Sequence, residues 1–314
     1  MTDRKLIAVV GATGAQGGSL AYALLADKSF AVRALTRKTD SDKAKALAAA
    51  GAEVVACDLD NADSVKAAFA GAYGAFCVTN FWEHFSPAKE QQQVRHMVAA
   101  AKAGGLKHVI WSTLEDTRKL VPLSDDRMPT LQEKYKVPHF DAKGEADAYF
   151  AEAGVPTTLL LTSFYWDNLL HFGMGPKPGP DGKLAFVLPM ADKKLPGIAA
   201  EDIGKCAAGV FKAGDALIGK TVGIAGEHLT GAQMAASLSK AMGKEVAYSY
   251  VPPEVYRTFG FPGADDLGNM FQYKRDFETP FCAARPVDAS RRLNAGLMTF
   301  DAWLAKYAAQ IPVA

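Results

Sequence analysis

The segment Gly11-Ala12-Thr13-Gly14-Ala15-Gln16-Gly17-Gly18 follows directly on the apolar run Leu6-Ile7-Ala8-Val9-Val10, and no other feature constrains the fold as strongly. A short β-branched run of this kind predicts a buried strand. The G-x-x-G-x-x-G pattern of Gly11, Gly14 and Gly17 predicts a tight turn whose backbone a second group can approach closely. The helix expected from Ala15 then aims free N–H groups and the positive end of its dipole at the turn, an arrangement suited to a diphosphate. Glycine-rich turns occur in many settings. Set between a first strand and a first helix, this one predicts a dinucleotide site in a doubly wound sheet.

The next strand indicates which dinucleotide. Residues 30–36 read as that strand, and it ends in Arg37-Lys38 with no carboxylate before Asp40. A site for NAD carries an acid about 20 residues past the glycines to accept bonds from the ribose 2′-OH, whereas an arginine there suits the 2′-phosphate of NADP. A guanidinium can also stack on adenine while it holds the phosphate. The expected cofactor is therefore NADP(H), with Arg37 as the discriminating residue.

Strands alternate with helices through the first half. Strands are expected at 53–57, 75–78, 108–112 and 157–161, and helices near 16–26, 41–50, 62–70, 87–103 and 140–153. This rhythm predicts an α/β fold, a Rossmann-type doubly wound parallel sheet whose apolar strands are covered on both faces. After residue 162 the rhythm changes. Gly and Pro cluster at 175–182, a strand is expected at 184–188, a helix ends near 213, and 221–224 returns as a strand. A helix at 230–242, a strand at 245–251 and a closing helix at 301–310 follow. The expected division is a cofactor-binding part, 1–162, with return segments near 195–225, and a smaller α+β C-terminal region, 163–314, covering the nicotinamide end. The polar stretch 115–138 lacks periodicity and is expected to be a mobile loop.

Composition narrows the function. Among 314 residues, 49% are hydrophobic and 22% charged, and the net charge of +1 gives no field for nucleic acid or an acidic membrane. No apolar run is long enough to cross a bilayer or to act as a leader, and the basic residues are dispersed. The four cysteines are scattered, and the histidines show no metal-ligand spacing, so a reduced, cytoplasmic chain without a metal is expected.

Four segments together resemble the NmrA-like branch of the atypical short-chain dehydrogenase/reductase superfamily. They are the glycine turn, Val78-Thr79-Asn80-Phe81-Trp82-Glu83, His139-Phe140-Asp141-Ala142-Lys143-Gly144-Glu145, and Phe261-Pro262-Gly263-Ala264-Asp265-Asp266-Leu267-Gly268-Asn269-Met270. The chain is most similar to the redox-sensor proteins of that branch. The resemblance implies binding of NADP(H), a response to the NADPH/NADP ratio passed on through a regulatory protein partner, and an oligomer as one state open to it. It implies that Gly11, Ala12, Thr13, Gly14, Ala15 and Gln16 hold the diphosphate, with Gly17 completing the turn, and that Arg37 holds the 2′-phosphate. Asp58 and Leu59 would lie at the adenine, and Thr79, Asn80 and Phe81 along the ribose and nicotinamide. Lys143 would hold the nicotinamide ribose, and Tyr165, Trp166, Asp167 and Asn168 would close over the nicotinamide. Gln92 stands where related sensors carry a lysine near the cofactor.

A working reductase of this superfamily pairs Tyr and Lys at Y-x-x-x-K spacing on one helix, so that the ammonium lowers the pKa of the phenol that moves the proton. Here Lys143 is present but position 139 is His, and Ser112 lies near the place of the family serine. The catalytic candidates are therefore His139 and Ser112, with His139 open to a capping or packing role. Two functions compete. One is a sensor with little or no dehydrogenase activity. The other is an NADPH-dependent reductase of a quinone or small carbonyl, a small-molecule electron acceptor housed among aromatics such as Tyr165 and Trp166. The segment 259–273 is either a partner surface or packing of the smaller region.

Overall fold

The structure, a computed structural model, describes residues 4–179 and 182–313. Strands β1 (Leu6–Val9), β2 (Ala31–Thr36), β3 (Glu53–Ala56), β4 (Gly74–Cys77), β5 (His108–Thr113) and β6 (Thr157–Leu161) alternate with helices α1 (Ala15–Asp27), α2 (Asp42–Ala49), α3 (Ala62–Phe69), α4 (Pro87–Ala103) and α5 (Pro138–Glu152). In the second half follow β7 (Phe164–Tyr165), α6 (Asn168–His171), β8 (Lys177–Pro178), β9 (Leu184–Leu188), β10 (Lys194–Ile198), α7 (Ala200–Ala213), β11 (Thr221–Gly223) and β12 (Glu227–Thr230). The chain then forms α8 (Gly231–Met242), β13 (Val246–Tyr250), α9 (Pro253–Tyr256), α10 (Ala264–Asp276), α11 (Glu278–Ala283), α12 (Val287–Leu293) and α13 (Phe300–Tyr307).

The main sheet is parallel throughout, in the order β11-β6-β5-β4-β1-β2-β3. This is the expected doubly wound fold. Every residue of β4 and β5 is buried, as helices on both faces require. β1 lies between β2 and β4, so the crossovers leave it in opposite directions and a crevice opens beyond its carboxyl end. The late strand β11 returns to this sheet, pairing Thr221 with Leu159 on β6. Helix α7 lies against α1, and Gly204 allows it: a Cβ there would come within 2.1 Å of the Leu20 backbone nitrogen.

Local signals account for the helix starts. Ser41, Asn61 and Ser86 accept hydrogen bonds from backbone N–H groups of the first turns they precede, and Thr230 and Gln233 form a reciprocal capping box. α5 begins at Pro138, two residues before the expected 140, because proline supplies a helical φ and lacks only an N–H that the first turn leaves unpaired. His139 and Lys143 therefore share one helical register.

The second half forms two small sheets, β12-β10-β7 and β13-β9-β8, around a core that includes Trp166, Phe186, Phe271, Phe300 and Trp303. One expectation is corrected here. The stretch 115–138 is tied down rather than free. Asp141 accepts from the backbone N–H groups of Thr117, Lys136 and Val137, while Asn269 donates to the carbonyls of Pro129 and Lys136 and Gln272 to that of Arg127. Residues 264–273 are helical and mostly buried in α10, with Phe259 and Phe261 exposed just ahead of it. Both features have one cause. The buried face of α10 includes Asp266, Asn269 and Gln272, and polar side chains that bond to a distant loop leave no apolar period in the sequence. Among the described residues, no helix is long and apolar enough to cross a membrane.

Candidate cofactor and active site

The parallel sheet brings the sequence-predicted residues to one edge. Gly11 follows β1, Arg37 follows β2, Asp58 lies just past β3 and Thr79 just past β4, Ser112 is near the end of β5, and Tyr165 comes shortly after β6. Gly11 has φ +64°, a left-handed conformation that glycine adopts without strain. A Cβ on Gly17 would lie 2.4 Å from the Val10 carbonyl oxygen and 2.5 Å from that of Gly11, so only glycine lets α1 start this close to β1. Gly14 caps α1 without a side-chain bond and the first turn carries no acid, which leaves its N–H groups for an outside acceptor. Ala12 is buried behind the turn, and Thr13, Gly14 and Ala12 line a groove of about 270 Å³ with Tyr22 and Lys43.

Gln16 bridges two strand ends. Its Nε2 donates to the Tyr165 hydroxyl at 2.6 Å, and its Oε1 accepts from Ser112 Oγ at 2.7 Å. Burial pushes the Tyr165 phenol up to about 12, which keeps it protonated at neutral pH. At the end of β2, Arg37 Nη2 lies 2.8 Å from Glu83 Oε1, and Asn80 Nδ2 donates to the same oxygen at 3.1 Å. Asp58 and Leu59 shape the loop after β3: the Asp58 N–H donates to Ser64 Oγ, and the Leu59 carbonyl meets His96 Nδ1 at 2.8 Å.

A buried ionic network lies behind Thr79. Glu90, fully buried on α4, takes Lys143 Nζ at 2.6 Å and the Thr79 hydroxyl at 2.5 Å on its Oε1. Lys143 also donates to Thr79 Oγ1 at 2.6 Å and sits over the Trp111 ring. The other Glu90 oxygen faces His84 Nε2 at 3.5 Å. His84 Nδ1 accepts from the Ser86 N–H, so its proton resides on Nε2 and points at the carboxylate. Burial holds the His84 pKa below the usual histidine range, in keeping with a neutral ring.

One turn before Lys143, His139 Nδ1 lies 2.5 Å from Asp266 Oδ1, and the His139 backbone N–H donates to Asp266 Oδ2 at 3.1 Å. The imidazole is nearly buried, with its centroid 4.7 Å from that of Trp82 and 6.0 Å from that of Phe81. The remaining residues have structural partners. Trp166 is buried against Phe300 and Trp303 in the core of the second half. Asp167 accepts from the Ala200 N–H at the start of α7, and Asn168 opens α6. Gln92 is exposed.

Sequence reasoning assigned no role to Glu83 and Asp266, which stand in the motif segments, and passed over Glu90. Glu90 falls in the first turn of a helix, where an acid ordinarily complements the dipole. Its distinguishing signal was the following Gln93 and Val94, which place it one turn ahead on the buried stripe of α4.

A model of the NmrA-like family matches residues 3–304. The NmrA-like family domain-containing oxidoreductase FrzB of Cladobotryum sp is 30% identical over 309 residues, covering 90% of this chain and 88% of that protein. Among solved structures, NmrA, a negative transcriptional regulator, aligns with a TM-score of 0.80 at 25% identity over 98% of this chain and 96% of that one. NmrA in complex with NADP gives 0.78 at 24% identity, and in complex with NAD 0.80 at 24%, each over 98% of this chain and 96% of that one.

Proposed function

This chain belongs to the NmrA-like family, and from that premise we propose that it is an NADP(H)-binding regulator that answers to the NADPH/NADP ratio and has little or no dehydrogenase activity. The observation that carries this reading is the engagement of His139 and Lys143. The residue in the place of the proton-donating tyrosine is held on two atoms by Asp266, and the lysine one turn on is paired with buried Glu90. The pair that would pass a proton to a substrate is committed to partners within the protein. The dinucleotide side has a more open character, with a glycine turn shaped for close approach, free N–H groups and an exposed Arg37 whose partner Glu83 is also exposed. The complexes of NmrA with NAD and NADP support a dinucleotide here, and Arg37 favours NADP(H).

On this reading residues 1–162 bind the cofactor and 163–314 cover its nicotinamide end and meet a regulatory protein. The unpaired cysteines suit a reducing cytoplasm. Only a difference in affinity between the oxidised and reduced forms can shift a conformational equilibrium. The test is calorimetric titration with NADPH, NADP⁺, NADH and NAD⁺, with the reduced-nicotinamide absorbance followed in the presence of quinones and aldehydes. Unequal binding of NADPH and NADP⁺ without acceptor-dependent oxidation is expected. Equal binding, or steady turnover, removes the reading.

The chain of Ser112, Gln16 and Tyr165 favours a second reading, reduction of a quinone or small carbonyl, because it sets a protonated phenol near the family serine. The oxidoreductase name of FrzB points the same way. Turnover lost in Tyr165→Phe, with NADPH binding retained, is the result that reading requires.

A further inference from the structure

We infer that Glu83 competes with the cofactor's 2′-phosphate for Arg37, so that this carboxylate, together with Arg37, sets how strongly the protein prefers a phosphorylated dinucleotide. The inference rests on the NADP(H)-binding reading and adds to it a residue that works against the cofactor.

Arg37 stands where the 2′-phosphate is expected, and its Nη2 already holds an anion, Glu83 Oε1 at 2.8 Å. Asn80 fixes the same oxygen at 3.1 Å, so the carboxylate is aimed at the guanidinium rather than left to sample solvent. Burial raises the Glu83 carboxyl, but the bonds from Asn80 and Arg37 outweigh it and hold the group below the usual range, so it is ionised at neutral pH. An arriving phosphate must displace this carboxylate or share the guanidinium with it, at the cost of setting two anions side by side. An unphosphorylated dinucleotide brings no 2′-anion to Arg37 and leaves the pair intact.

Glu83 also ends the short turn Phe81–Glu83, whose Phe81 and Trp82 rings lie on His139. Release of Glu83 by the phosphate frees the end of a turn that touches the Asp266-bound histidine. The 2′-phosphate is thereby linked to the junction with the second half of the chain.

The test is Glu83→Gln in the full chain, which keeps an acceptor for Asn80 and removes the charge. Affinities for NADP⁺ and NAD⁺ are measured by calorimetry for both proteins, and a thermal melt confirms the fold. Because an exposed ion pair is a weak competitor, the ratio of NADP⁺ to NAD⁺ affinity is expected to rise about 3- to 10-fold, with NAD⁺ binding changed less than about twofold. An unchanged or lowered ratio overturns the inference, since Glu83 would then be neutral or would position Arg37 for the phosphate. Equal changes for both cofactors overturn it too. If the parent protein binds neither dinucleotide, the cofactor reading itself fails and the inference falls with it. Glu83→Ala, which also removes the acceptor, is expected to raise the ratio in the same direction.

Discussion

Lys143 and Glu90 form a buried ion pair at 2.6 Å that joins α5 to α4 directly behind Thr79. Breaking such a pair from one side leaves a charge without compensation in a low-dielectric site. Glu90→Gln and Lys143→Met are each expected to cost about 3–5 kcal/mol in urea unfolding. The double replacement Glu90→Leu with Lys143→Met is expected to cost clearly less than the sum of the single replacements, because no charge is then stranded. Additive losses would show that the two residues stabilise the fold independently.

Gly17→Ala tests the cradle itself. Its Cβ would meet backbone oxygens of Val10 and Gly11 at 2.4 and 2.5 Å, and neither atom belongs to a flexible side chain. The turn must open, and dinucleotide affinity is expected to fall more than about tenfold, while the stability loss stays within the range of about 1–3 kcal/mol usual for overpacking. Calorimetry beside a urea melt separates the two effects. Undiminished binding would place the diphosphate elsewhere.

His108 and Asp147 predict opposing pH dependences. His108 Nε2 donates to Thr158, whose hydroxyl donates to the Leu217 carbonyl, which fixes the tautomer, and burial keeps the ring neutral by holding its pKa down to about 4 from 6.5. The unfolded chain then binds the extra proton between those values, and this contribution to stability grows as pH rises through the window. Asp147 accepts from Trp111 Nε1 and Thr113 Oγ1 on one oxygen, and burial pushes it up to about 7 from 3.8. There the folded state binds the extra proton, so its contribution is lost as pH rises. Asp147→Asn keeps the accepting oxygen. The variant's stability is expected to climb more steeply than the parent's between pH 4 and 6.5, by up to about 1.4 kcal/mol per unit, and to exceed it above pH 7. Urea midpoints across pH 4 to 8 give the comparison, and parallel profiles would contradict it.

Lys274 is buried among Phe140, Phe271 and Phe281, and its Nζ contacts Met270 Sδ at 3.2 Å. Burial, aided by Arg285, brings its pKa down to about 7 from 10.5, so the unfolded chain holds more protons between these values and stability rises with pH there. Lys274→Met fills the same space without a charge. It is expected to stabilise the protein at pH 7 by about 1–4 kcal/mol, with the gain closing towards pH 10. A destabilised variant at pH 7 would show that the rings hold the ammonium more tightly than burial penalises it.

The sequence by itself determined the doubly wound sheet and the shape of its first turn. Apolar runs such as β5, alternating with capped helices, state their burial locally, and the spacing of Gly11, Gly14 and Gly17 states a backbone requirement within a single turn. The four-residue spacing of His139 and Lys143 was legible too, but the expected helix began at 140, and only the structure, with α5 starting at Pro138, sets both on one helix. What surrounds these residues was decided by tertiary structure alone. Asp266 meets His139 across 127 residues, Glu83 meets Arg37 across 46, and Asn269 fastens a loop 133 residues away at Lys136. Hydrophobic burial leaves a period in the sequence because it repeats along one element. A polar pair is made once, between segments that only the closed fold brings together, and neither partner's neighbours in the chain record it.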